Sequence, residues 1–184
     1  MHHYITFLRG INLGKRRVKM DRLRVLFEEL KFSDVESFIA SGNLIFSSKA
    51  ANSKQLETQI QSHLKESLGY EVETFVRTRA EVATIAKFRF HKATNLERYS
   101  DTIHVGFLRD SLSPDQISKF LACQTAEDEL RVAGREYYWL CRVKSHESKV
   151  WSSPQMKAVK LPSSSVRNLT TVRKLAALYP APDN

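Results

Sequence analysis

The sequence predicts an α+β protein built from two ferredoxin-like subdomains of the β-α-β-β-α-β type, packed into one unit. Three observations carry that expectation. Residues 1–78 pass through period-2 and helical apolar patterns in the order β-α-β-β-α-β, the split βαβ plan of an antiparallel sheet with helices on one face. A similar order restarts near residue 101. Each stretch is about 80 residues long, small for an independent core, so the two are expected to pack together. Residues 1–78 make the first subdomain, 79–100 a connecting helix and loop, and 101–184 an α+β subdomain with terminal helices.

Residues 4–9 are β-prone and apolar on both faces, as in a central strand. Residues 10–17 form a loop in which Gly10, Asn12 and Gly14 tolerate positive φ. Met20, Leu23, Leu26, Phe27 and Leu30 then fall at helical spacing over 19–30. Residues 35–39 and 44–46 read as short strands joined by the turn formers Ser41-Gly42-Asn43. Asn52 and Gln55 resemble a capping box for a helix carrying Leu56, Ile60, Leu64 and Leu68, with Gly69 placed for its C-cap. Val72, Thr74 and Val76 alternate as a fourth strand, and Thr78-Arg79-Ala80-Glu81 starts a short helix. Residues 88–100 show no period and read as a loop.

In the second half, Ile103, Val105 and Phe107 alternate as a strand. Ser113-Pro114-Asp115-Gln116 is a strong helix start. Residues 130–133 and 136–141 read as a hairpin turning at Gly134-Arg135. Residues 146–158 are helix-like with an interruption at Pro154, and a last helix over 170–178 stops at Pro180. This half reads β-α-β-β-α-α. The two orders suggest an internal duplication, although no residue-level repeat stands out.

Composition bounds the function. Hydrophobic residues are 42%, charged 27% and aromatic 10% of the 184 residues, which is globular rather than disordered. No run of roughly 18 apolar residues occurs, so no membrane span is expected. Met1-His2-His3-Tyr4 leads straight into a strand pattern, so no signal peptide is expected and a soluble, cytoplasmic protein is. Cys123 and Cys141 are too few for a disulfide scaffold. The six histidines lack ligand spacing, so neither a metal nor a cofactor is expected.

The net charge of +9 is segregated. Residues 9–24 hold seven basic side chains against Asp21 alone, and residues 142–174 hold eight against Glu147 alone. The rest of the chain has 14 bases and 18 acids. A solubilising surface is one account of the two windows; a positive surface for phosphate-bearing ligands is the sharper one.

In the first window, Arg9, Gly10, Asn12, Gly14, Lys15, Arg16, Arg17 and Lys19 join a strand to a helix start through a basic loop. Backbone N–H groups and the helix dipole favour an anion there, although the loop is neither GxxxxGK[ST] nor GxGxxG. Ser41 and Asn43 either present polar groups at the same sheet edge or serve only as turn residues. In the second window Ser148-Lys149 is too short for an SxxK pair, which leaves Lys149 as a phosphate contact with Ser148 beside it. Asn168 can cap the last helix while Arg167 reaches an anion, and Lys174 adds charge. No catalytic residue is assigned; His104 reads as a lone acid/base or as a structural histidine. Tyr137, Tyr138 and Trp139 alternate along a hairpin strand, leaving one ring for stacking if that strand has an open face. The RNP1 pattern of RNA-recognition motifs is absent from the third strand, where Leu44-Ile45-Phe46 stands.

Arg9-Gly10-Ile11-Asn12 with Val18-Lys19-Met20, then Ser41-Gly42-Asn43, then Ser148-Lys149 and Arg167-Asn168 with Thr171-Val172 and Lys174-Leu175, resemble a bacterial family catalogued as a domain of unknown function, number 1697. The resemblance implies a two-subdomain α+β protein and no particular activity, substrate or cofactor. The chain departs from the family pattern at Leu13, Leu169 and Thr170, where a glycine, a tryptophan and an asparagine are usual. The expected function is binding of a phosphate-rich anionic partner, a nucleic acid, at a composite basic site between the subdomains. The alternative is an enzyme acting on a small phosphorylated metabolite or nucleotide. There Lys149 and Arg167 would stabilise developing charge while Asn12 and Asn43 orient the substrate.

Overall fold

Residues 1–12, 14, 16–39, 42–90 and 102–182 are described by the computed structural model. Packing divides the chain into two units, residues 1–86 with 173–184, and residues 87–172.

In the first unit β1 (His2–Arg9), β2 (Ser33–Phe38), β3 (Asn43–Ser48) and β4 (Glu73–Thr78) form an antiparallel sheet in the order β2-β3-β1-β4. β1 is central because its residues are apolar on both sides. Tyr4 and Leu8 join a core with Leu23, Leu26 and Phe27 of α1 (Met20–Glu29) and Leu56, Ile60 and Leu64 of α2 (Ser53–Leu68). Ile5 and Phe7, on the opposite face, are also fully buried. α2 starts where the Asn52 side chain accepts the Lys54 and Gln55 amides, and it stops where Gly69 turns to φ 76°. Buried Glu57 accepts the Val76 amide at 2.8 Å and so ties α2 to β4. Thr78 and Glu81 cap each other's amides and start α3 (Arg79–Ala86).

The second unit repeats the plan with β5 (Thr102–Phe107), α4 (Pro114–Leu121), β6 (Asp128–Ala133), β7 (Glu136–Cys141), α5 (Pro154–Val159) and β8 (Ser165–Asn168), in the order β6-β7-β5-β8. Phe120, Leu130, Tyr137, Trp139, Met156 and Val159 lie in its core. Both units are therefore ferredoxin-like. α6 (Leu169–Leu178) begins in the second unit and ends with the first, where Arg173 Nε donates to the Ala86 carbonyl at 3.2 Å and Tyr179 to Glu36 at 2.7 Å.

Several local expectations change. The second half is β-α-β-β-α-β followed by a helix, because residues 165–168 pair with β5 from Phe107↔Ser165 to His104↔Asn168. Four residues without apolar alternation carry no strand signal of their own, so the pairing makes this strand. Pro154 opens α5 instead of interrupting a helix; Ser153 caps it and proline suits the first turn. Tyr137, Tyr138 and Trp139 are all buried, so the hairpin strand has no open face. Of the expected 88–100 loop, residues 91–100 lie outside the described residues.

Strand register also exposes a repeat. Phe7-Leu8-Arg9 ends β1, and Phe107-Leu108-Arg109 starts at the last residue of β5, at an offset of 100 positions. The Leu8 amide donates to the Gly42 carbonyl at 2.8 Å, and the Leu108 amide donates to the Arg135 carbonyl at 2.9 Å.

Gly106, in central β5, lies beneath Tyr137, where an added Cβ would stand 2.0 Å from the ring. Gly106→Ala is expected to lower the unfolding free energy by about 2–3 kcal/mol. In urea denaturation the Gly106→Ala/Tyr137→Leu double variant should recover part of that loss, a positive coupling between two contacting sites.

Candidate anion-binding site

β1 runs out at Arg9 into the loop that carries most of the first basic window. Its path is set by contacts at both ends. Gly42, at φ 75°, gives its carbonyl to the Leu8 amide, and a Cβ on it would stand 3.0 Å from Ile11 Cγ2 and 3.1 Å from Leu8 Cβ. The lack of a side chain on Gly42 suits this close approach to Leu8 and Ile11. Ile11 anchors the loop in the core, and its carbonyl accepts the Tyr70 hydroxyl at 3.1 Å. Asn12 Oδ1 accepts the Val18 amide at 2.7 Å and closes the loop from within. Gly10 and Gly14 sit at φ 78° and 61° with open space around them. At the hairpin tip Ile39 is 56% exposed with φ 57°, a strained backbone for a β-branched residue.

The cations of this window divide into two sets. Arg9 pairs with Glu73, Arg22 with Glu29 at 3.3 Å, and Arg24 with Asp21 and the Ser37 hydroxyl. Arg16, Arg17 and Lys19 meet no carboxylate among the described residues. The Arg16 guanidinium lies 4.2 Å from the Tyr70 ring centroid. Arg17 Nη1 donates to the Gly14 and Arg16 carbonyls at 2.9 and 2.7 Å. Exposed Lys19 occupies the N-cap of α1 in extended conformation and makes no side-chain cap bond. Lys15 and Ser41 lie outside the described residues. Asn43 is fully buried and donates its amide to the Phe38 carbonyl at 3.3 Å, so it braces the hairpin instead of presenting a polar group at the sheet edge.

Ser148, Lys149, Arg167 and Asn168 belong to the second unit. Ser148 donates to buried Asp128 at 2.8 Å, and that carboxylate also accepts Trp139 Nε1 at 2.7 Å and Thr125 at 2.9 Å. Ser148 is thereby a staple between the 142–149 segment and β6. Exposed Lys149 borders a hollow of about 270 Å³ whose walls include Glu127, Asp128 and Glu147. Arg167 donates to the Ser165 hydroxyl and the Val166 carbonyl, and burial pushes its guanidinium down to about 10, still charged at neutral pH. Asn168 accepts the Thr170 hydroxyl at 3.1 Å. His104 stacks on Trp139 at 4.6 Å, with Nε2 3.0 Å from the Ser145 hydroxyl. Exposed Lys174 lies with the first unit. Sequence reasoning missed Tyr70, Glu73 and Asp128, whose partners are distant along the chain and leave no local signal.

The profile of a family described as protein of unknown function (DUF1697) matches residues 1–138. The chain belongs to that family. The DUF1697 match takes in the basic loop and the Ser41-Gly42-Asn43 turn and stops short of Ser148-Lys149 and Arg167-Asn168. The structure of conserved bacterial protein SP0830 from Streptococcus pneumoniae is similar in fold, with a TM-score of 0.72 and 22% identity over 97% of this chain and 98% of that one. No curated protein matches the DUF1697 chain. Among the described residues no helix is long and apolar enough to cross a membrane, and no group of three or more His, Cys, Asp or Glu could hold a metal ion.

Two outcomes test the geometry. Gly10→Ala meets only the left-handed backbone penalty and should cost about 1–2 kcal/mol. Gly42→Ala adds steric contact with Ile11 and Leu8 and should cost clearly more in the same denaturation assay. Burial lowers the pKa of the His104 imidazole, so the unfolded chain binds that proton more tightly and stability falls as pH drops below about 6.5. His104→Phe keeps a ring on Trp139 and should flatten the dependence of stability on pH between about 5 and 7.

Proposed function

We propose that this DUF1697 protein binds a phosphate-rich partner, a nucleic acid, through the loop of residues 9–19. The division of the cations in the first basic window, residues 9–24, carries the reading. Arg9, Arg22 and Arg24 have carboxylate partners, whereas Arg16, Arg17 and Lys19 stand together without one among the described residues. A surface built for solubility intersperses the two signs; neighbouring uncompensated cations raise a local potential suited to a polyanion. Gly10 and Gly14 leave the backbone open to close approach. The hollow beside the loop favours a partner lying across its outside over a small metabolite within. Of about 360 Å³, it is lined by Arg9 and Gly10 but also by Glu71 and Glu73, whose charge opposes a phosphate.

Fluorescence anisotropy with a labelled nucleic acid tests this. About three phosphate contacts predict a log–log salt slope of about 2.7 on duplex DNA. Replacing Arg16, Arg17 and Lys19 together by Gln should weaken binding at least about tenfold at low salt and nearly abolish the slope. Arg22→Gln, where the native cation is already paired, should leave affinity within about twofold. Absence of binding at low ionic strength, or indifference to salt, would remove the reading.

A further inference from the structure

We infer that the nucleic acid taken by this loop is a duplex, held through its phosphates and not read at its bases, an inference that rests on the anion-binding reading above. It comes from the juxtaposition of exposed, carboxylate-free cations with a surface on which, among the described residues, every aromatic ring is buried or partly buried. Proteins that hold single strands stack bases on aromatic side chains, each stack worth about 1–3 kcal/mol. Ferredoxin-like RNA binders place those rings on an open sheet face. Here the sheet faces are closed to such use. Ile5, Phe7, Ile45 and Phe75 are buried on one side of the first sheet, and Tyr4, Leu44, Phe46 and Val76 on the other. In the second sheet Tyr137, Tyr138 and Trp139 are buried as well. Among the described residues each Phe, Tyr and Trp is buried or partly buried.

The aromatic that touches the basic loop is equally committed. Tyr70 packs against the first core, gives its hydroxyl to the Ile11 carbonyl, and carries the Arg16 guanidinium over its ring. The cations themselves are placed as charge and not as base readers. Reading guanine needs an arginine that extends its fork into the major groove. The Arg17 guanidinium folds back on the Gly14 and Arg16 carbonyls, and that of Arg16 lies along Tyr70. Contacts of this kind set position on the backbone without sequence information. A duplex presents one negative charge per about 1.7 Å of axis and needs no platform for its already stacked bases, so a loop that offers only charge favours it over a single strand.

The test titrates the full chain against labelled 20-base-pair DNA duplexes of mixed, A·T-only and G·C-only sequence, and against one of the separated strands, in one low-salt buffer. The expected result is duplex affinities within about threefold of one another, a single strand at least about fivefold weaker, and no change in the fluorescence of a 2-aminopurine base placed in the single-stranded probe. A single strand bound as tightly as the duplex, a 2-aminopurine signal that changes on binding, or a tenfold spread among the duplex sequences would overturn the inference while leaving the anion-binding reading in place. No binding of any probe would remove the reading itself.

Discussion

The amide of Leu8 has one place to go once β1 passes the edge of its hairpin partner, and that place is the carbonyl of Gly42. Because a Cβ on this glycine would crowd Ile11 and Leu8, Gly42 and the residues that end β1 pack closely at one end of the sheet. Ile11 is drawn into the core, Tyr70 closes over its carbonyl, and Asn12 holds Val18 across the loop. Arg16, Arg17 and Lys19 lie between this anchored stretch and the start of α1. The same amide-to-carbonyl step recurs from Leu108 to Arg135 in the second unit, where the connection to α4 is shorter and carries no comparable basic run.

Electrostatics separates the residues that support structure from those left over for a partner. Arg9, Arg22 and Arg24 are matched by Glu73, Glu29 and Asp21, pairs that at exposed positions contribute little stability but cancel charge. In the second unit the polar residues of interest turn inward. Asp128 gathers Trp139, Thr125 and Ser148 around one buried carboxylate, and His104 stacks behind the indole. A buried carboxylate with that many donors is satisfied and rigid, which suits a staple better than a reagent.

Much of the architecture was legible in the chain. β1 showed its central position through apolar residues on both faces, α2 through its fourfold leucine-isoleucine spacing and the Asn52 and Gly69 caps, and α4 through Ser113-Pro114-Asp115-Gln116. Failures fell where local pattern is weak. β8 is four residues whose strand character comes from β5, and Pro154 reads as a breaker until Ser153 is seen capping the helix it begins. The element order suggested a duplication, but its residue-level trace, Phe-Leu-Arg at a matching strand end, becomes visible only once register aligns the two sheets. At the candidate site, the positive loop was plain from composition, but Asn43 looked like a surface turn residue and is a buried brace.

By itself, then, the sequence determined the element order, the helix limits and the segregation of charge, since propensity, caps and composition act within a few residues along the chain. Tertiary structure alone decided which cations meet a carboxylate, which aromatic rings are buried, and which polar motif residues face inward. Those outcomes depend on partners brought close from distant positions, as Glu73 is to Arg9, Tyr70 to Arg16 and Asp128 to Ser148. Such pairings have no local signature, because only the folded backbone sets the distances over which Coulomb and packing forces act.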